Sequence, residues 1–272
     1  MNTDQQALKL IDIGVNLTDS CFDKDRDEVL KAAATAGVST LIITGTTLEE
    51  SQQAIDLCQQ HAGSLFCTVG VHPHYSKNFT STTLSDLKSM LQTPGVVAVG
   101  ETGLDFNRNF STQEQQITAF EAQLELACET GLPLFLHERD AHQKQLEMLH
   151  SYRDHFGQGV AHCFTGSKQE LYNYLDLDLH IGITGWVCDE RRGSHLHPLL
   201  KDIPANRLML ETDAPYLLPR NLKPKPKSRR NLPQYLPHIL KKVAYLVEKP
   251  IDQLAHETVS TSIDFFGLSQ PV

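Results

Sequence analysis

Residues that can bind a metal or move a proton stand just past short apolar runs along this chain: Asn16, His72, His74, Glu101, His137, His162 and Asp213. The clearest case is Leu208-Met209-Leu210-Glu211-Thr212-Asp213-Ala214-Pro215-Tyr216, where an apolar run ends in acid, hydroxyl and acid. A strand buried on both faces reads as such a run, bounded by turn signals. Pro215 ends any ladder and keeps Ala214 out of the helical region. Asp213 is therefore expected at the carboxyl end of a buried strand. Imidazole and carboxylate donors without thiolate suit Zn²⁺, Mn²⁺ or Mg²⁺ better than a soft metal. A carboxylate such as Glu101 can bridge two ions, and two ions about 4 Å apart can clamp the oxygens of a phosphate displacement. One buried histidine is more often a satisfied core residue than a ligand. Several candidates at the same relative position in successive strand units are hard to explain by packing alone.

The elements that must position these residues follow in order. Apolar strands are expected at 10–15, 39–44, 65–71, 96–100, 134–136, 159–161, 180–184 and 207–210. Helices are expected at 23–36, 48–62, 84–91, about 112–130, 141–156, 233–248 and 251–266, several stopped by glycine. Ser111-Thr112-Gln113-Glu114 and Ser167-Lys168-Gln169-Glu170 have the form of capping boxes. Strands alternating with helices mean parallel strands with crossover helices. Eight such units in a chain of 272 residues predict an α/β fold, a (β/α)8 TIM barrel of one domain over residues 1–272. No GxGxxG follows the first strand, which removes the usual signal of an open dinucleotide-binding sheet. In a barrel, strands that point the same way gather their carboxyl ends at one mouth.

Composition narrows the partners. Hydrophobic residues make up 40% and charged residues 21%, ordinary for a soluble globular protein. No apolar run is long enough to span a membrane. Met1–Gln6 has neither a basic nor an apolar stretch, so no secretory signal is expected. The six cysteines form no CxxC and read as reduced thiols of a cytoplasmic protein. Cys163, beside His162, reads as an inert buried thiol. A net charge of −9 argues against a surface that coats nucleic acid. The exception is Arg220 to Asn231, a basic stretch without an acid. It follows the Asp213 strand and so should lie near the mouth, where Arg229 and Arg230 can track phosphates. Arg139 can do the same with its guanidinium fork. His72 and His74 can touch phosphate or protonate a leaving group. Tyr216 and Trp186 can stack on bases, although packing is as common a role for aromatics.

Four stretches carry a resemblance: Val99-Gly100-Glu101-Thr102-Gly103-Leu104-Asp105, Gly70-Val71-His72-Pro73-His74, His162-Cys163-Phe164-Thr165-Gly166 and Glu211-Thr212-Asp213-Ala214-Pro215-Tyr216. Together, in order and at matching spacing, they resemble the signatures of the TatD family of metal-dependent deoxyribonucleases. Ile11 to Leu17 and Gly185 to Gly193 resemble one branch of that family more than its paralogues. The resemblance implies an amidohydrolase-type barrel and divalent-metal hydrolysis of phosphodiesters. The expected reaction is 3′-to-5′ trimming of single-stranded DNA or RNA in repair or turnover, by a monomer. It also implies Glu101, His137, His162 and Asp213 as metal ligands, Asp213 and Glu101 as catalytic residues, and Mg²⁺ as the ion, with Mn²⁺ or Zn²⁺ as alternatives. Many family members carry His-x-His in the first strand, where this chain has Gly14 and Asn16. One tightly held ion is therefore expected, with a second joining near Asp213 only when a phosphate supplies oxygens. Glu138, beside His137, has no functional reading. The rival functions are a metal-dependent amide or ester hydrolase acting on a small molecule or aminoacyl-tRNA, and a non-catalytic nucleic-acid binder.

Overall fold

The computed structural model describes residues 9–268. Met1–Gln6, in which no secretory signal was read, lies outside them. Eight parallel strands pair in chain order, β1 (Leu10–Val15), β2 (Val38–Ile43), β3 (Leu65–Val69), β4 (Val96–Asp105), β5 (Leu134–Arg139), β6 (Gly159–Ala161), β7 (His180–Ile183) and β8 (Leu208–Leu210). Helices α1 (Arg26–Thr35), α2 (Leu48–Gln60), α3 (Ser81–Met90), α4 (Gln113–Thr130), α5 (His142–Tyr152) and α6 (Lys168–Asp176) follow the first six strands. Short 3-10 turns, rather than an α-helix, connect β7 to β8, and α7 (Leu236–Val247) and α8 (Ile251–Phe266) complete the shell. This is the (β/α)8 barrel that the alternation predicts. No helix among the described residues is long and apolar enough to cross a membrane.

Two apolar layers hold the barrel. Its lumen is filled by Ile11, Ile13, Ile42, Val97, Phe135, Val160 and Met209, and Phe265, Phe266 and Leu268 from the end of α8 pack with them. The second and larger layer lies between strands and helices. Strands buried on both faces need apolar residues at successive positions rather than alternate ones, and β1 is buried throughout.

The seam between β1 and β8 closes with few backbone contacts. Val15 and Ala214 form an isolated parallel bridge. Asn16 N donates to Ala214 O at 2.8 Å, and Asp213 N to Gly14 O at 2.8 Å. A side chain completes the closure. Asp12, fully buried, accepts from Thr212 N at 2.8 Å and pairs with Thr212 Oγ1 at 2.5 Å. Burial pushes the Asp12 carboxyl up to about 8, against the Thr212 hydrogen bonds and with help from Glu211. The folded state thus keeps a proton that an unfolded chain releases near pH 4. The stabilisation is full below about pH 4 and is lost as pH rises toward 8. In metal-free protein, Asp12→Asn should flatten that decline, which is at most about 1.4 kcal/mol per pH unit for one proton. Urea unfolding at pH 5 and pH 8 checks this. An unchanged difference between the two pH values in the variant would remove Asp12 from the explanation.

Three expectations shift in the structure. The first capping box is carried by Thr112 and Gln115, not by Ser111 and Glu114. Ser111 is already engaged, since its Oγ accepts from Lys77 N and donates to His74 O. Helix α1 starts at Arg26, three residues later than expected, after a short turn capped by Asp19. Strands β4 and β5 run on past their expected ends, to Asp105 and Arg139, so Glu101 and His137 lie within strands, and Gly103, Leu104 and Asp105 pair with His137, Glu138 and Arg139. Gly100 and Gly103 have φ of +146° and +138°. A side chain at Gly100 would collide with Phe135 O, and one at Gly103 with His137 O. Two glycines thus let β4 press against β5, and no apolar periodicity could reveal that pairing.

Candidate active site

Side chains two residues apart on a strand share a face. Glu101 and Asp105 therefore lie on one face of β4, with side-chain-free Gly103 between them. His137 and Arg139 alternate the same way on β5, so Glu138 points the other way. There Glu138 Oε1 accepts from Ala141 N at 2.9 Å, at the start of α5, and its Oε2 lies 3.7 Å from His142 Nδ1. That gives Glu138 a structural role in holding α5.

The barrel mouth gathers its titratable groups around one atom. Glu101 Oε1 lies 2.8 Å from His162 Nε2, 2.9 Å from His137 Nδ1 and 3.4 Å from His72 Nε2. Burial opposes ionisation of Glu101, but the facing imidazoles, His162 foremost, hold its carboxyl well below the usual range. Burial likewise disfavours a charged His162, yet Glu101 and Glu211 raise it well above an ordinary histidine. His137 is raised too, as Asp105 and Glu101 overcome its burial.

His72 differs. Burial lowers it well below the ordinary value, against the pull of Glu101. Its Nδ1 accepts from His74 N at 3.1 Å, which leaves the proton of a neutral ring on Nε2. His72 therefore turns an N–H, not a lone pair, toward Glu101.

A second set of carboxylates backs these rings. Glu211 Oε2 lies 3.1 Å from His162 Nδ1, and its Oε1 accepts from Cys163 N. Asp105 Oδ2 lies 2.7 Å from His74 Nε2 and 3.4 Å from His137 Nε2. Burial raises Asp105, but hydrogen bonds with His137 and His74 hold it well below the usual range. Carboxylates behind ligating histidines fix ring orientation and raise ligand basicity. Sequence reasoning missed Asp105 and Glu211, although both stand inside quoted motifs. The available signal was spacing, two residues from Asp213 and four from Glu101.

Asp213 sits at the mouth just past β8, and its Oδ1 accepts from Asn16 Nδ2 at 2.9 Å. Burial, with Glu211 and Glu101 adding to it and His162 opposing, pushes its carboxyl up to about 7. Asn16 thus positions Asp213. Gly14 also has a spatial reason, because a side chain there would collide with Glu211 Oε2. Glu211 occupies the space that a larger first-strand residue would need. Cys163 is no nucleophile here, as burial and the carboxylates of Asp213 and Glu211 push its thiol well up.

The arginines divide. Arg139 and Arg229 are exposed. Arg230 is bidentate on Asp25 at 2.9 and 2.5 Å and also donates to Cys21 O. It ties the basic segment to the start of α1 instead of presenting a free fork. Trp186 is also engaged, with Arg192 4.4 Å from its ring centre and its Nε1 donating to Arg192 O.

The residues suit a divalent cation. Glu101 and His137 group with His72 within 4.8 Å, and His162 meets the same carboxylate oxygen. Glu101, His137 and His162 can turn donor atoms to an ion, whereas the His72 Nδ1 lone pair is taken by His74 N. All are nitrogen or oxygen donors, the set that borderline and hard divalent ions prefer.

The family model for the TatD related DNase matches residues 11–267. This chain belongs to the TatD family. A TatD-family relative from Erwinia amylovora, the 3′-5′ ssDNA/RNA exonuclease TatD, is 52% identical over 95% of this chain and 100% of its own length. The corresponding protein of Citrobacter rodentium is 52% identical over 96% of this chain and 98% of its own. Among solved structures, a TatD family hydrolase from Entamoeba histolytica superposes with a TM-score of 0.88 at 27% identity, covering 97% of this chain and 99% of that one. The TatD homolog YjjV from Escherichia coli gives 0.86 at 26% identity, covering 97% and 100%. Membership of the TatD family implies a divalent metal, in keeping with the donors at the mouth.

Proposed function

We propose that this protein is a divalent-metal-dependent 3′-5′ exonuclease on single-stranded DNA or RNA, working in the cytoplasm as a monomer with Mg²⁺. The observation that carries the reading is the meeting of three imidazoles on Glu101 Oε1, at the mouth of a TatD-family barrel. Glu101, His137, His162 and Asp213 would hold the ion. When bound, such an ion supplies a Lewis acid that acidifies water and offsets phosphate charge.

The remaining chemistry belongs to the chain. Asp213 takes the proton of the attacking water, in the orientation that Asn16 gives it. A base with a carboxyl raised toward neutrality suits that task. His72, neutral with its proton on Nε2, turns that N–H to the mouth beside Glu101, while Asp105 holds His74 next to it, and the two rings meet substrate phosphate by hydrogen bonding. Arg139 and Arg229 bind substrate phosphates, and Arg230 fixes the segment that carries Arg229. Glu211 keeps the His162 ring in place from behind.

End-labelled single- and double-stranded DNA and RNA, incubated with Mg²⁺, Mn²⁺, Zn²⁺ or EDTA, test the proposal. Metal-dependent shortening of the single strands is expected. Intact strands under every condition would favour the non-catalytic binder, and intact strands alongside ester or amide cleavage would favour the rival hydrolase. Metal analysis after dialysis should return about one ion per chain, because Gly14 has no donor and the Asn16 amide is engaged by Asp213. Two ions retained without substrate would contradict this.

A further inference from the structure

Six large apolar or aromatic side chains are exposed among the described residues: Tyr75, Phe110, Tyr172, Tyr216, Tyr245 and Ile251. Scattered exposed apolar residues need no explanation, and Tyr172, Tyr245 and Ile251 lie on outer helices. The other three border the mouth. Tyr75 follows β3 and its ring lies 6.4 Å from that of His72. Phe110 follows β4, is 56% exposed, and stands edge-on to His74 with ring centres 4.8 Å apart. Tyr216 is 55% exposed and lies three residues beyond Asp213. Tyr75 is near enough to Tyr216 to add to the burial and the Asp19 contact that raise the Tyr216 phenol. Three loops from separate strands thus bring aromatic faces to the rim, close to His72, His74 and Asp213.

We propose that Phe110, Tyr75 and Tyr216 form a stacking platform for unpaired nucleobases on either side of the scissile phosphate. This rests on the nuclease reading and deepens it, because it names what selects a single strand. In a duplex even the end base is held by its pair, so it cannot swing onto protein rings on either side of a phosphate without unpairing and unstacking. The bases of a single strand can. Every base has a π-face, so such a platform is tolerant of sequence. The cations Lys77, Arg108 and Arg139 are exposed in the same loops and strand end. They give the phosphates of the stacked bases local positive charge in a protein whose net charge is −9.

The test compares the parent, Phe110→Ala, Phe110→Trp and Tyr216→Ala on two single-stranded oligonucleotides, one ordinary and one abasic at its two terminal positions. Loss of a base–aromatic stack is worth about 1–3 kcal/mol. Phe110→Ala and Tyr216→Ala should therefore raise KM on the ordinary strand by about fivefold to about 150-fold, and Phe110→Trp should restore it. On the abasic strand the ratio of variant to parent should collapse toward one. Equal KM on the ordinary strand would overturn the proposal. Equal impairment on both strands would also overturn it, by showing that Phe110 acts only through His74. A terminal 2-aminopurine oligonucleotide in EDTA reads the stack without cleavage. The parent should quench its fluorescence and Phe110→Ala should not. A parent that quenches but never cuts would sink the nuclease reading and leave the platform standing. A parent that cuts without quenching would sink the platform alone.

Discussion

Glu101→Gln should abolish cleavage of single-stranded nucleic acid, lowering turnover by about a thousandfold or more, while the barrel stays folded. The reason is the crowding around one oxygen. Glu101 Oε1 faces His162, His137 and His72 within 3.4 Å. The carboxylate accepts from His137 and His162, and with an ion bound it supplies the negative charge that the ion requires. Glutamine matches its shape but carries no charge, and its amide nitrogen would present a donor to rings that are themselves donors. The ion and the alignment of His137 and His162 should be lost together. Far-UV circular dichroism should not change, because the apolar layers that hold the barrel are untouched. Metal analysis should return little bound ion. A purified variant that cut single-stranded DNA at the parent rate would remove Glu101 from the chemistry and end this mechanism.

Asp213→Asn should lower turnover by a comparable factor, but through a different loss. Asparagine can still accept from Asn16 Nδ2, so the local geometry should survive. What disappears is a group able to take a proton, a contribution of about 10²- to 10⁴-fold for a general base. The charge-based contribution to ion binding goes with it. Three candidate ligands remain in this variant, so it should retain more metal than Glu101→Gln does. The informative comparison is therefore turnover against bound metal in the two variants. Loss of metal equal to that of Glu101→Gln would make Asp213 a ligand only. Turnover within tenfold of the parent would show that another group accepts the proton.

Both variants concern residues legible before any coordinates. Apolar runs ending in His162 or Asp213 announce strand ends, because a polar group inside a doubly buried strand needs a dedicated partner, as Asp12 has in Thr212; His137, expected just past its strand, lies within β5. The eight-unit alternation implied the barrel for the same reason. Glu101 was read as following its strand, yet it lies within one, since β4 runs on to Asp105 through two glycines that no propensity favours in a strand. The arginines of the basic segment looked equivalent. Only the approach of α1 separates Arg230, engaged by Asp25, from exposed Arg229.

What the sequence determined by itself was the set of chemically able side chains, their order on parallel strands and the end of the barrel at which they gather. These follow from local rules: burial demands apolar runs, proline and glycine end them, and parallel strands share a direction. The tertiary structure alone decided which carboxylate stands behind which imidazole. It set Glu211 into the space that Gly14 leaves open, turned Asn16 onto Asp213, and gave the His72 proton to Nε2 through the backbone of His74. Such choices depend on distances of a few ångströms between residues as many as 197 positions apart. A hydrogen bond is selected by proximity and angle, and neither is written in the spacing of residues along a chain.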